Sequence, residues 1–273
     1  MIDAAAIQKR LDQLVKDGGA PGFQLGLGWK DRSLGVFMSG TRFPHSSRVV
    51  LPETWFDLAS LTKIISTSSL MMIALQEGKI KSLDDHLQAY FPSFQSELKS
   101  KTIADLLHHR AGLPPVFEAL EPLPTREERI RFFVAEVDKN YQPHPPRYSD
   151  VGFMLLGILL ENLYGQRLSA IFDEKLGSDD LGYGPFRSGF DSFRGLFRFR
   201  TFASCRSYDD PTEVRCGSVQ DLRAEWMMGD AGHAGLFGTA DGIEDWAGQI
   251  FRAYHGKDVQ ISAKVARLFF DWK

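Results

Sequence analysis

Ser60 and Lys63 stand three residues apart in the run Asp57-Leu58-Ala59-Ser60-Leu61-Thr62-Lys63. On a helix that spacing puts both side chains on one face, where they can meet. A serine hydroxyl is a weak nucleophile until a base takes its proton. A lysine amine can be that base once desolvation or a neighbouring cation disfavours its charged form. From Ser60 to Gln76 the sequence is apolar nearly all round, including Leu61, Ile64, Ile65, Leu70, Met71 and Met72, so a core helix is expected, with Gly78 as its stop. Such a helix desolvates the amine, and its first N–H groups and dipole suit a developing oxyanion. The spacing alone is weak evidence. Ser96 and Lys99 repeat it in a polar stretch, where it reads as a solvated surface pair.

A second group of polar residues, Tyr148-Ser149-Asp150, precedes another apolar run, Val151 to Tyr164. Ser149 or Asp150 caps that helix and Gly165 stops it. A phenol near a lysine ammonium ionises more easily and can shuttle protons, although an ordinary cap with an aromatic staple explains the same residues. Other signals carry less chemistry. His108-His109 has no third ligand at metal-binding spacing. Gly229, Gly232, Gly235 and Gly238 read as a tight structural loop before a helix rather than a phosphate cradle. Arg194, Arg198 and Arg200 interleave with Phe193, Phe197 and Phe199, a faint likeness to a nucleic-acid-binding stripe that the two faces of a strand explain at least as well.

Several elements must hold these groups in place. Residues 3–17 put Ile7, Leu11 and Leu14 on one helical face, and Gly18-Gly19 follow as a stop. Phe23, Leu25, Leu27 and Trp29 alternate with polar or small residues, Asp31-Arg32-Ser33 reads as a turn, and Leu34 to Thr41 returns as a second strand. Residues 42–54 read as a loop and Ile103–His109 as a helix ended by Gly112. Charged sequence punctuated by proline then runs to Pro146. Residues 182–217 suggest irregular strands, and helices return at 240–254 and 263–272, the last with Val265, Leu268, Phe269 and Trp272 on one face.

With 43% hydrophobic and 25% charged residues among 273, the chain has the composition of a soluble globular protein. A formal net charge of −3 gives no reason to expect a nucleic acid or a membrane surface as partner. The longest apolar stretch, Phe153 to Leu160, is too short to span a bilayer. The amino-terminal residues lack the apolar core of a secretory signal, so a cytoplasmic location is expected, with Cys205 and Cys216 as reduced thiols. No Cys/His spacing suits zinc, and no cofactor is expected.

Ser60-Leu61-Thr62-Lys63 followed by Tyr148-Ser149-Asp150 resembles the first two motifs of the serine β-lactamase and penicillin-binding-protein family. The similarity is greatest to its class C-like branch of esterases and D-alanyl peptidases. Thr102 to Pro114, Tyr148 to Glu161 and Gly229 to Asp241 also resemble family segments, in the family's order from about residue 20 to residue 255. The resemblance implies an α/β (α+β) fold, with an antiparallel sheet, flanking helices and a mainly helical subdomain. It divides the chain at 1–59, 60–228 (both motifs) and 229–273. It also implies Ser60 as acylated nucleophile, Lys63 as base or relay and Tyr148 as the partner handling leaving-group and deacylation protons.

Two departures from the family pattern bear on function. Asp150 stands where the family usually has Asn meeting substrate and lysine. A carboxylate there favours the ammonium form of Lys63, which weakens it as a base unless Tyr148 takes that role, and repels a substrate carboxylate, which counts against β-lactams. The family also completes its site with a Lys-Thr-Gly or His-Thr-Gly strand. His233-Ala234-Gly235 superficially fits, which makes His233 a substrate-side residue beside Asp150, yet Gly232 to Asp241 resembles a loop preceding that strand. Nothing after residue 242 alternates like a strand, so the chain reads as a member shortened at its carboxyl end, its last strands missing. A second copy of the chain is one source of the missing strands. The expected function is a serine hydrolase acting on a small ester or amide, such as a peptidoglycan fragment. The alternative is a binding or remnant protein that keeps the fold with an incomplete site.

Overall fold

A computed structural model describes residues 3–184, 191–193, 196–198, 201–207, 210, 212–257 and 260–271, with only the backbone described at 191–193 and 196–198. Among these residues the helices are α1 (Ala4–Lys16), α2 (Ser69–Gln76), α3 (Ile103–Leu107), α4 (Arg126–Lys139), α5 (Asp150–Tyr164), α6 (Leu168–Lys175), α7 (Leu222–Trp226), α8 (Ala240–Tyr254) and α9 (Ala263–Phe270). The strands are β1 (Gly22–Trp29), β2 (Arg32–Gly40), β3 (Thr54–Asp57), β4 (Leu181–Tyr183), β5 (Asp191–Phe193), β6 (Leu196–Arg198), β7 (Thr201–Phe202), β8 (Ser204–Arg206), β9 (Val214–Cys216) and β10 (Leu236–Gly238). None of the helices is long and apolar enough to cross a membrane.

The chain folds as two units. One comprises Met1–Leu58, Gly177–Gln220 and Leu236–Lys273, and the other Ala59–Leu176 and Asp221–Gly235. The division expected at 1–59, 60–228 and 229–273 is corrected at two places. Residues 177–220 join the first unit because β4 pairs with β10 and β7 with β3. Residues 229–235 join the helical unit, where Gly232 lies against α5.

In the first unit, α1 starts where the Asp3 carboxylate accepts from the Ala6 N–H, and it buries Leu11. β1 and β2 pair antiparallel as expected, but the turn is Lys30-Asp31. Lys30 takes a φ of 60° and Arg32 already pairs with Trp29. The face bearing Gln24, Gly26 and Gly28 lies on α8: Gln24 Oε1 accepts from Ala240 N, and a Cβ at Gly26 would meet the Glu244 side chain at 3.3 Å. A second sheet has the order β4-β10-β3-β7, antiparallel except for the parallel pair β3–β7. No strand follows Gly238 among the described residues. The alternation of Phe193, Phe197 and Phe199 with Arg194, Arg198 and Arg200 concerns side chains outside the described residues.

The helical unit is built around α5. Its residues Val151 through Leu160 are all buried, so it is surrounded on every side, with α2, α3 and α6 among its neighbours. Each of its buried leucines contributes about 1.5–3 kcal/mol relative to exposure. The Ser149 side chain caps its start and Gly165, at φ 65°, ends it, as the sequence implied. The stretch read as charged and proline-punctuated contains α4, which opens with a reciprocal capping box between Thr125 and Glu128.

Gly232 allows its loop to rest on α5. A Cβ there would stand 2.1 Å from the Phe153 carbonyl oxygen and 2.9 Å from the Gly157 nitrogen. Overlap with backbone cannot be relieved by a rotamer change, so Gly232→Ala is expected to cost about 1–3 kcal/mol of stability or more. Denaturant unfolding measures this directly, and an unchanged midpoint would show that the loop does not sit this close.

Candidate active site

The approach to Ser60 is sharply bent. β3 ends at Asp57, and two residues later Ala59 takes a φ of 46°, a left-handed conformation costly for a residue with a Cβ. A single 3-10 turn, Ala59–Leu61, carries Ser60 at the exposed surface, and a π-helical turn follows over Lys63–Ser68 before α2 begins. The single long α-helix expected from Ser60 is therefore three successive geometries. The wide turn fits the hydroxyl-rich sequence Ser66-Thr67-Ser68-Ser69, where Ser69 Oγ donates to the Ile64 carbonyl five residues back at 3.1 Å. Leu61 and Ile64, expected in the core, are exposed.

Lys63 is 3% exposed. Its Nζ donates to Ser60 Oγ at 2.9 Å and to the His233 carbonyl at 3.1 Å, and it forms an ion pair with Asp150 Oδ1 at 2.8 Å. Two hydrogen-bond acceptors and one carboxylate counter-charge thus surround the amine. The rings of Tyr148 and Phe153 face the same nitrogen, with centroids at 4.8 and 5.8 Å. The Ser96–Lys99 pair behaves differently. Ser96 caps a short 3-10 turn and donates to Asp138 at 2.5 Å.

Tyr148-Ser149-Asp150 is held by the segment before it in the fold, residues 109–115. Ser149 Oγ donates to the Pro114 carbonyl at 2.6 Å, Asp150 N to the Pro115 carbonyl at 2.7 Å and Arg147 N to the His109 carbonyl at 3.2 Å. His109 contributes most directly, although in the sequence it stood out only as half of a His-His pair. Its Nδ1 accepts from Ser149 N at 3.1 Å, and its ring stacks on Tyr148 with centroids 4.5 Å apart. Burial and then the charge of Lys63 hold its pKa below the ordinary 6.5, against the opposing pull of Asp150. Tyr148 itself is half exposed, its ring lying between His109 and the lysine.

Ser60, Lys63, Tyr148 and Asp150 thus come together as expected. His233 does so in another way. Its ring is 1% exposed and turned to Asp221, Nε2 to Oδ1 at 2.9 Å, so the His233 side chain is not a surface that meets substrate. Its backbone carbonyl is the group that enters the site. Asp221 also caps α7 through Ala224 N. Burial raises its pKa, but the hydrogen bond and charge of His233, with Ala224 N–H and Arg223, outweigh this and bring it to about 2. Side-chain ligand atoms of Asp150, Asp221 and His233 lie within 4.8 Å of one another, a spacing a metal ion could use. Lys63 and the Asp221–His233 bond already engage those groups.

The family model for Beta-lactamase matches residues 7–272. The chain is 30% identical over 222 residues to N-acetylmuramyl-L-alanine amidase of Bacillus subtilis (strain 168), covering 69% of this chain and 48% of that protein. It is 28% identical over 248 residues to the putative D-alanyl-D-alanine carboxypeptidase of Escherichia coli (strain K12), covering 79% of this chain and 55% of that protein. The chain therefore spans about half the length of these relatives. In fold it resembles a class C β-lactamase from Rhodobacter sphaeroides, with a TM-score of 0.70 at 19% identity, covering 97% of this chain and 70% of that one.

The lowered pKa of His109 has a consequence for stability. Between its folded value and 6.5 the unfolded chain binds the proton more readily, so this contribution is fully present above 6.5 and is lost as pH falls through the folded value. Unfolding free energies measured from pH 8 to pH 5 should fall less steeply for His109→Gln than for the wild type. Parallel curves would show that His109 titrates as it does in water.

Proposed function

The chain belongs to the beta-lactamase family, and from that membership we propose that it is a serine hydrolase acting through an acyl-enzyme on Ser60. The observation that carries this reading is the buried Lys63 nitrogen, hydrogen-bonded to Ser60 Oγ and the His233 carbonyl and ion-paired with Asp150. Beside that carboxylate Lys63 is read as an ammonium, which does not receive the serine proton. It acts instead as a fixed positive charge that stabilises the Ser60 alkoxide as it forms.

Tyr148, whose ring lies against the ammonium and whose half-exposed position opens it to a leaving group, relays the proton: its oxygen accepts from Ser60 as its own O–H proton passes to the leaving group. Attack by Ser60 Oγ on the carbonyl carbon forms the new C–O bond and a tetrahedral oxyanion. Its collapse breaks the bond to the leaving amine or alkoxide, which takes the proton from Tyr148. Water repeats the sequence on the acyl-enzyme, giving up its proton through Tyr148 and releasing Ser60.

The substrate class follows from two considerations. The relatives' names, N-acetylmuramyl-L-alanine amidase and putative D-alanyl-D-alanine carboxypeptidase, support an amide of peptidoglycan origin, with small esters as surrogates. The Asp150 carboxylate at the nucleophile disfavours an acyl group with its own carboxylate beside the scissile bond.

A fluorophosphonate probe should add one phosphonyl group to the intact protein, and Ser60→Ala should abolish the mass increase. Lys63→Ala should slow labelling by about 10²–10⁴-fold, and Tyr148→Phe should hydrolyse an acyl ester with slowed release of the acyl group. Undiminished labelling of Ser60→Ala would refute the nucleophile assignment. A wild-type chain that never labels would instead support the binding-protein alternative.

A further inference from the structure

At its start the loop 229–235 is anchored through Asp230 to Arg126, Arg167 and Ser169, and further on it is tied to α5, the π turn and Asp221, the ties that bear on Lys63. Gly232 packs on α5, the helix whose first residue is Asp150. The Gly232 carbonyl accepts from Thr67 Oγ1 at 2.7 Å, on the same π turn as Lys63. One residue on, the His233 carbonyl accepts from Lys63 itself. A carbonyl can be aimed only by fixing its own residue, and the His233 imidazole is the remaining handle. That ring is buried, and among the described residues its Nδ1 has no hydrogen-bond partner and the bond from Nε2 to Asp221 is its one polar tether. Asp221 is in turn fixed as the cap of α7 and stays ionised down to about pH 2.

We propose that Asp221 and His233 form a positioning pair, anchoring the 229–235 loop to α7 so that the His233 carbonyl holds the Lys63 ammonium against Ser60. The proposal rests on the reading of Ser60 as nucleophile. Neither residue touches substrate. Their effect reaches the chemistry through one backbone oxygen, which together with the charge of Asp150 holds the Lys63 nitrogen in place. Its other hydrogen bond then goes to Ser60 Oγ. Loss of the tether frees the loop at its carbonyl end and lets the amine drift from the hydroxyl. Displacements of about 1 Å at a reacting group can cost about 10²-fold in rate.

The test compares His233→Phe, Asp221→Ala and Asp221→Asn in the full chain, at a temperature where circular dichroism shows each to be folded. Fluorophosphonate labelling of His233→Phe should slow about 100-fold, and with an aryl ester the loss should fall on kcat with KM little changed. Asn supplies a capping oxygen that can also accept from Nε2, so Asp221→Asn should recover much of the rate that Asp221→Ala loses. If Phe is not accommodated, the two Asp221 variants carry the comparison. Crystal structures of the variants give a readout independent of activity: the Lys63 Nζ to Ser60 Oγ separation should exceed hydrogen-bond range in His233→Phe and Asp221→Ala. Labelling within twofold of wild type at equal folded fraction, or Lys63 unmoved in the crystals, would overturn the pairing's role. A wild-type chain that does not label would defeat the hydrolase reading alone and leave the crystallographic distances to decide this one.

Discussion

A lysine ammonium removed from water must be given acceptors for every N–H, and the helical unit is organised around that requirement. Taking such an ion out of water costs several kcal/mol even after relaxation, and partners recover the cost only with good geometry. Lys63 finds its partners in three places along the chain: Ser60 one turn before it, Asp150 at the start of α5 and the His233 carbonyl on the 229–235 loop. Two carry no formal charge, and the third is a carboxylate that balances the ammonium. The same geometry that keeps the ion tolerable also aims it at a hydroxyl, so stability and chemistry share one set of contacts.

The scaffold serves this arrangement by keeping the three segments in register. α5 is enclosed along ten consecutive residues, which fixes the position of Asp150 at its first turn. Gly232 brings its loop onto that helix through backbone contact that no larger residue allows. Residues 109–115 grip Tyr148-Ser149-Asp150 through main-chain bonds and the His109 ring. Asp150 distinguishes this site from one with Asn at the same position. A carboxylate binds the ammonium more strongly than an amide, which in the proposed mechanism makes lysine a standing charge and leaves proton traffic to the phenol.

Much of this was legible in the amino-acid sequence, where short-range rules apply. Ser60 and Lys63 meet because three residues make nearly one turn in any helical form, so the pair survives the change from α-helix to 3-10 and π turns. α5 and its ends were readable from Ser149, Gly165 and the apolar run between them. The π turn was not: Ser69 Oγ donates to the Ile64 carbonyl while Thr67 Oγ1 donates to the Gly232 carbonyl on a loop far away in sequence, a contact no local pattern records. α4 was hidden by the prolines and charges around it, although Thr125 and Glu128 carried its start signal. The His233 ring was misjudged for a different reason. A motif match locates a residue along the chain and says nothing of which of its groups faces the site, and here the carbonyl does. The assignment of 177–220 to the first unit depended on strand pairs far apart in sequence, β4 with β10 and β7 with β3, which no local pattern records.

The Lys63–Asp150 pair tests the account most directly, through a double-mutant cycle on unfolding free energy with Lys63→Met and Asp150→Asn. Asp150→Asn leaves the buried ammonium unmatched and should cost about 3–5 kcal/mol, while Lys63→Met leaves a carboxylate that is 16% exposed and should cost less. The double variant should be markedly more stable than the sum of the two losses allows, because both charges leave together. Strictly additive losses would mean that the two groups do not share a buried bond, and the arrangement described around Ser60 would fall with it.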